Sequence, residues 1–408
     1  MKYCLLGEKL GHSYSKIIHE RLGLNYELIE LNKNELIDFL NKPNYDGFNV
    51  TIPYKKDVVP YMYSLSPTAK LAGAVNTVVN KNGKLYGYNT DVDGMNYMIN
   101  KKGIFLKGKR VIILGSGGTS NTAVTLCKRE NALSWVVVSR SGDVNYTNCY
   151  DVEDTEIIIN TTPVGMYPNV YDKPIDLSRF KNLKGVFDCI YNPKNTELLT
   201  QAKSLNIPCG GGLDMLVEQA VLAYDIWANT AHDTNLTEKI IKEIEGQTMN
   251  VVLCGMPSAG KSTIGKKVAK SLNKPFIDSD DEIKKVYGKS PAEIIESEGE
   301  PSFRDKESEV IKNLSSKRGV VIALGGGAVL REENVKNVKR NGVIFYIKRN
   351  LDLLVLENRP LSKKEGVENL YSKRKAVYEG VSDYVIENNS SVNGAVKEII
   401  KLYENSCN

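Results

Sequence analysis

An α/β fold, with parallel sheets flanked by helices in both halves of the chain, is predicted by three observations. Short runs rich in Val and Ile alternate with amphipathic segments, the pattern of parallel strands joined by crossover helices. Two glycine loops each stand between such a run and a helical stretch. At 408 residues the chain also has the length of two or three ordinary domains, each able to bury a core of its own.

Composition narrows the class. Apolar residues make up 41% and charged residues 25%, and no apolar run approaches the ~20 residues a bilayer span requires, so a soluble globular protein is expected. The opening run Cys4-Leu5-Leu6-Gly7 is cut short by Glu8 and Lys9, too early for a secretory core, and a cytoplasmic location is expected. The seven cysteines are scattered, odd in number and free of C-x-x-C spacing, which argues against a disulfide framework or a zinc site. A formal net charge of +5 without a compact basic stripe points to small anions as ligands, with neither nucleic acid nor membrane as a partner.

In chain order, strands are predicted at 110–114, 134–138, 156–159 and 185–189 in the first half. A helix follows at 216–228, where Leu216, Ala220, Ala223 and Trp227 recur at helical spacing, and a second helix runs from Thr237 to Gly246. The short polar stretch Gly246-Gln247-Thr248 marks the expected domain boundary. Beyond it, strands are predicted at 250–254, 275–277, 320–324 and 343–347.

The first glycine loop, Gly115-Ser116-Gly117-Gly118-Thr119, follows Arg110-Val111-Ile112-Ile113-Leu114 and opens a helix. Alone it is compatible with mere tight packing as well as with a dinucleotide site. The next strand ends in Ser139-Arg140-Ser141. An acidic residue here would hold the ribose 2′-hydroxyl of NAD, whereas Arg140 can pair with a 2′-phosphate, which favours NADP(H). The second loop is sharper. Gly255 to Ser262 reads G-x-x-x-x-G-K-S directly after an apolar strand, with glycines that let backbone N–H groups curl around a phosphate, Lys261 at the β/γ-oxygens and the Ser262 hydroxyl placed for Mg2+. The loop alone implies a nucleoside triphosphate and says little about the acceptor.

Six further segments complete the first half: His12-Ser13-Tyr14-Ser15, Asn49 to Lys55 (NVTIPYK), Gly73-Ala74-Val75-Asn76-Thr77, Asn89-Thr90-Asp91, Asn160 to Met166 (NTTPVGM) and Gly212 to Gln219 (GLDMLVEQ). With them, residues 1 to about 245 closely resemble shikimate dehydrogenase. That resemblance implies a substrate lobe (1–100 and 206–246) and a Rossmann-like NADP lobe (101–205). It implies Lys55 as general acid/base with Asp91 as its ion-pair partner, Ser13, Ser15 and Tyr191 on the substrate carboxylate, and Thr51, Asn76 and Gln219 on the ring hydroxyls. Gly115 to Thr119, Ser139, Arg140, Gly212 and Met215 would line the cofactor. One departure is visible: only 142–155 intervene before the next strand, without a helical stripe, where the family usually runs a helix, and Ser139 stands where Asn is usual.

In the second half, Asp278-Ser279-Asp280, Phe303-Arg304-Asp305-Lys306-Glu307, Gly325-Gly326-Gly327, Arg359-Pro360-Leu361 and Arg374 follow the phosphate loop. Residues 249–408 thereby resemble shikimate kinase, a P-loop fold. The resemblance implies that Asp280 orients the acceptor hydroxyl, that Asp278 and Ser262 support Mg2+, and that Gly255, Gly260, Lys261, Ser262 and Thr263 hold ATP. It also implies that Arg304, Arg374, Gly326 and Gly327 grip the substrate carboxylate and that Arg359 arrives on a mobile lid. Together the halves imply 3-dehydroshikimate and shikimate as successive substrates. Two alternatives stay open at this point: a quinate-type NAD dehydrogenase fused to another small-molecule kinase, and a nucleotide-binding regulator without catalysis.

Overall fold

The computed structural model describes residues 1–11, 14–233, 235–354 and 366–407, and the chain divides into two compact units, Met1–Ile241 and Lys242–Asn408.

The first unit contains two sheets. One consists of β1 (Tyr3–Gly7), β2 (Tyr26–Glu30), β3 (Gly47–Val50), β4 (Ser64–Leu65), β5 (Thr77–Lys81) and β6 (Lys84–Tyr88), in the order β2-β1-β3-β5-β6-β4. β1 is parallel to β2 and β3, while β5 runs antiparallel to β3 and β6. Asn82 and Gly83, both at positive φ, form the two-residue turn between β5 and β6.

The second sheet is wholly parallel: β7 (Arg110–Leu114), β8 (Ser134–Val138), β9 (Ile157–Asn160), β10 (Gly185–Asp188) and β11 (Cys209–Gly211), in the order β11-β10-β9-β7-β8. The chain departs from β7 to β8 on one side and to β9 on the other, so the crevice at the carboxyl end of β7 is a topological switch point. One sequence expectation shifts here. β11 hydrogen-bonds to β10, so the nucleotide lobe extends to Gly211 and does not stop at 205. Between β8 and β9 there is no α-helix, only a 3-10 turn at Cys149–Asp151, as the sequence predicts. In its place the Asn148 side chain accepts from Asn145 N and donates to Asp143 O, and Ser139 N donates to Val144 O.

Helices Asp91–Asn100 and Gly212–Ala228 tie the lobes together. A Cβ on Gly94 would lie 2.6 Å from Met215 O, so glycine permits the close crossing that sets Asp91 beside Met215 and Gln219. Trp227 anchors the second helix on the first sheet by donating to Val78 O at 2.9 Å.

The second unit holds one parallel sheet, β12 (Asn250–Cys254), β13 (Phe276–Asp278), β14 (Val321–Ala323), β15 (Gly342–Lys348) and β16 (Tyr384–Glu387), in the order β13-β14-β12-β15-β16. Its core joins Val251, Val252, Leu253, Ile322, Ile344, Phe345 and Ile347 to helix residues such as Ile264, Ile311 and Ile399. The expected linker at 246–248 is corrected: helix Leu236–Thr248 runs through it, and the units divide after Ile241. Gly246 and Gln247 stay helical because their carbonyls find partners, Tyr403 Oη at 3.0 Å and Lys274 Nζ at 3.0 Å, and Thr248 Oγ1 bonds back to Ile244 O. None of the seven cysteines is in a disulfide; Cys4, Cys127, Cys149, Cys254 and Cys407 are buried, Cys189 and Cys209 partly so. No helix among the described residues is long and apolar enough to cross a membrane.

Candidate active sites

A cavity of about 600 Å³ opens between the two sheets of the first unit. Lys55, in the turn after β3, places Nζ 2.7 Å from Asp91 Oδ2 at the start of its helix. Asp91 is buried to 7% exposure, so little solvent screens the pair and the ammonium stays held and aimed. Around it stand Ser15, Thr51, Asn76, Tyr191 and Gln219, all lining the same space. Asn76 is fixed from several sides: its Oδ1 accepts from Thr90 N at 2.8 Å, and its Nδ2 donates to Thr90 Oγ1 at 2.9 Å and Gln219 Oε1 at 3.4 Å. Beneath it, Tyr26 Oη donates to Asn49 Oδ1 at 2.7 Å and Asn49 Nδ2 to Asn76 O at 3.1 Å. Tyr191 is braced edge-to-face by Tyr14, 5.4 Å between ring centroids. Ser13 lies outside the described residues.

From the other lobe, Thr119, Gly212 and Met215 line the same cavity, so the first glycine loop opens onto it. Gly115 has φ +104°, and a Cβ there would meet Thr161 Oγ1 at 2.9 Å, so the turn requires glycine. Gly117 caps helix Gly118–Arg129 without a side-chain bond, leaving backbone N–H groups at an exposed helix start for an anion, with Ser116 exposed beside them. Gly212 fits only as glycine, since its Cβ would lie 2.1 Å from Cys189 O. Ser139 and the exposed Arg140 directly follow β8.

In the second unit the phosphate loop joins β12 to helix Lys261–Ser271. Gly255 and Gly260 sit at φ +137° and +97°, conformations open to glycine. Lys261 Nζ donates to the carbonyls of Gly255 and Met256 at 2.9 Å each, which keeps the ammonium over the loop. Ser262 Oγ donates to Asp278 Oδ2 at 2.6 Å, and Asp278 Oδ1 accepts from Asp280 N at 3.0 Å. Ser262 and Asp278 thus form a pair of hard oxygen donors beside the loop, the donor type that suits Mg2+. Thr263 is exposed on the first turn of the helix.

The three glycines after β14 gather the rest. A Cβ on Gly325 would lie 2.9 Å from Asp280 Oδ1 and 2.8 Å from Glu307 Oε1; on Gly326, 2.8 Å from Pro257 Cδ of the phosphate loop; on Gly327, 2.4 Å from the Arg304 guanidinium. The backbone therefore runs directly against the loop, the carboxylate and the arginine. Arg374 Nη1 donates to Gly326 O at 3.1 Å, and Tyr378 Oη donates to the same carbonyl. Arg304 pairs with Glu307 at 2.7 Å and Glu300 at 3.0 Å. Burial pushes the Glu307 carboxyl above its usual range against the pull of Arg304. Arg359 lies outside the described residues.

The sequence motifs include Asn49, Thr90 and Glu307 without giving them a part, and Tyr378 was not singled out. The Arg304 to Glu307 spacing of one helical turn is the signal that was available for Glu307.

Comparison with known proteins adds to this geometry. A family model of the shikimate dehydrogenase substrate-binding domain matches residues 5–78, and one of shikimate kinase matches residues 257–404. The chain is 36% identical over 265 residues to a shikimate dehydrogenase (NADP(+)) of Clostridium beijerinckii, covering 60% of this chain and 98% of that protein. Among solved structures it resembles a chorismate mutase/shikimate 5-dehydrogenase fusion protein from Clostridium acetobutylicum, with 33% identity, TM-score 0.57, and 60% and 97% of the two chains covered. It also resembles a shikimate 5-dehydrogenase from Thermus thermophilus in complex with NADP(H) and shikimate, with 27% identity, TM-score 0.53, and 59% and 98% covered.

Proposed function

We propose, from the premise that the chain belongs to the shikimate dehydrogenase family and carries a shikimate kinase domain behind it, a division of labour between named residues of a bifunctional shikimate-pathway enzyme. The first unit reduces 3-dehydroshikimate to shikimate with NADPH, and the second phosphorylates the 3-hydroxyl so formed with ATP and Mg2+.

The observation that carries the first assignment is the Lys55–Asp91 pair at 2.7 Å within a cavity that both lobes line. NADPH supplies the hydride. Lys55 donates a proton to the ketone oxygen as negative charge builds there, and in the reverse direction its neutral amine takes that proton back. Asp91 keeps the ammonium aimed at the reacting oxygen. Thr51, Asn76 and Gln219 hold the ring hydroxyls, and the Asn49–Asn76–Thr90 bonds freeze the amide in one orientation, which lowers the entropic cost of alignment. Ser13, Ser15 and Tyr191 donate to the carboxylate. Gly115 to Thr119, Gly212 and Met215 cradle the cofactor, and Ser139 and Arg140 meet its adenosine end.

In the second unit, Asp280 orients the acceptor hydroxyl while Arg304, Arg374, Gly326 and Gly327 grip the carboxylate. Gly255, Gly260, Lys261, Ser262 and Thr263 hold the phosphates, and Arg359 neutralises transferring charge. Ser262 and Asp278 would hold Mg2+, which would supply positive charge to offset that of the phosphates. The supporting observation is the glycine triplet, which brings the phosphate loop, Asp280 and both arginines to one backbone segment. The 36% identity to a shikimate dehydrogenase (NADP(+)) and the shikimate kinase match favour this reading over a quinate-type NAD dehydrogenase fused to another small-molecule kinase, and the intact Lys55–Asp91 pair speaks against a regulator without catalysis. A cytoplasmic location belongs to this proposal, supported by seven scattered cysteines, none of them in a disulfide.

The test is a pair of variants in the full chain. Lys55→Ala is expected to lower dehydrogenase kcat by roughly 100- to 10,000-fold and to spare the kinase, and Asp280→Asn to do the converse. Loss of both activities from either variant counts against separate sites.

A further inference from the structure

Among the described residues, three charged side chains line the cavity of the first unit: Lys9, Lys55 and Asp91. Lys55 and Asp91 neutralise one another at 2.7 Å, so of these three Lys9 contributes the remaining positive charge. The substrate is a monoanion, and the residues assigned to its carboxylate, Ser13, Ser15 and Tyr191, offer hydroxyls that donate hydrogen bonds but carry no charge. Lys9 sits on the loop that leaves β1, the same loop that leads to Ser15. That loop is pinned on both sides of Lys9. Leu10 N donates to Glu30 Oε1 at 2.7 Å, and Gly7 packs so closely that a Cβ would lie 2.7 Å from Leu10 Cδ2 and 2.8 Å from Thr51 Cγ2. The backbone of Lys9 is therefore fixed against the substrate side of the cavity, while its own side chain remains exposed at the mouth.

We infer that Lys9 is a specificity-determining residue of the dehydrogenase: its ammonium draws anionic ring acids into the cavity and pairs with the substrate carboxylate beside the hydroxyls. This inference rests on the assignment of the cavity to 3-dehydroshikimate and shikimate. An exposed rim cation acts through a modest, salt-screened attraction that raises the association rate more than it alters the chemical step. Lys9 is thus separate from the proton-transfer machinery, and its removal leaves the Lys55–Asp91 pair in place.

The experiment compares the full chain with Lys9→Met and Lys9→Arg in NADP+-dependent oxidation of shikimate, at low and at high ionic strength. In low salt Lys9→Met is expected to raise KM for shikimate roughly three- to ten-fold with kcat within about two-fold, and kcat/KM should lose most of its salt dependence. Lys9→Arg should restore both, and KM for NADP+ should not move. A Lys9→Met enzyme with the KM and salt slope of the parent overturns the inference and leaves the assignment of the cavity standing. A parent chain that does not oxidise shikimate overturns the assignment itself, and the role of Lys9 with it.

Discussion

Asp188, at the end of β10, is fully buried and accepts hydrogen bonds from Asn160 Nδ2 at 3.0 Å, Ile190 N at 3.0 Å and Thr196 Oγ1 at 2.7 Å. It thereby joins the loop that packs on Gly115 to the segment that carries Tyr191. Burial pushes its carboxyl up to about 6, with the three donors pulling the other way. Because the folded value lies above the ordinary ~3.9, the folded state binds the extra proton, and the associated stability is fully present below about pH 4 and lost as pH rises through about 6. Relative to Asp188→Asn, the parent protein is expected to lose stability between pH 4 and 6, with no further change above about pH 7, as urea unfolding of the first unit across that range would show. A flat difference would remove Asp188 from this account. Asp188 was invisible in the sequence because its partners come from β9 and from a helix start, and only the tertiary fold brings them together. Lys261 was legible from the spacing of the phosphate loop, whereas Lys55, Asp91 and Arg304 were assigned through the family resemblance that their motifs carry. Lys9 was noticed only as a charge that interrupts an apolar run.

At the level of elements, the strands legible from sequence were those of the parallel sheets, where burial on both faces demands unbroken Val/Ile runs, as in β7, β9 and β12. The first sheet was not singled out. Its strands carry polar or small residues such as Asn49, Thr77 and Gly87 facing the cavity or a tight packing contact, so the apolar signal is diluted where function and close approach intervene. Helix ends were misjudged where tertiary partners decide them, as at Gly246. The connection after β8 has a functional consequence. With no helix between β8 and β9, Arg140 stands at a strand end followed by a loop held through Asn145 and Asn148. Reversing its charge by Arg140→Glu is expected to lower kcat/KM for NADPH by about ten-fold or more, since the proposed pairing with the 2′-phosphate would give way to repulsion, while NADH turnover changes little. Comparing the two cofactors in both proteins measures it, and an equal fall for each would refute the role.

Across the whole molecule, each unit owns a core and a nucleotide loop, and the boundary lies within helix Leu236–Thr248 and not in a flexible tether. The last turns of that helix belong physically to the second unit: Lys274 Nζ donates to Gln247 O and Met249 O, and Tyr403 Oη to Gly246 O and Met249 O. A kinase fragment beginning at Lys242 is therefore expected to melt roughly 5–10 °C above one beginning at Met249, which loses the last helical turns with the carbonyls of Gly246 and Gln247 and leaves Lys274 and Tyr403 with Met249 O alone. Calorimetry of the two fragments decides, and equal melting temperatures would place the helix outside the kinase fold. The domain count was legible from two loops and from length; the position of the join was not, because a glycine in a polar stretch reads as a break until its carbonyl partners are known.

The distribution of the thiols supplies a native reporter. Burial holds Cys4, Cys127, Cys149, Cys189, Cys209 and Cys254 above the ordinary thiol range, so little of the alkylating form exists while the protein stays closed. Five of these six precede Ile241 and one follows it, and a maleimide pulse read by mass spectrometry would time the opening of each half separately without any engineered label.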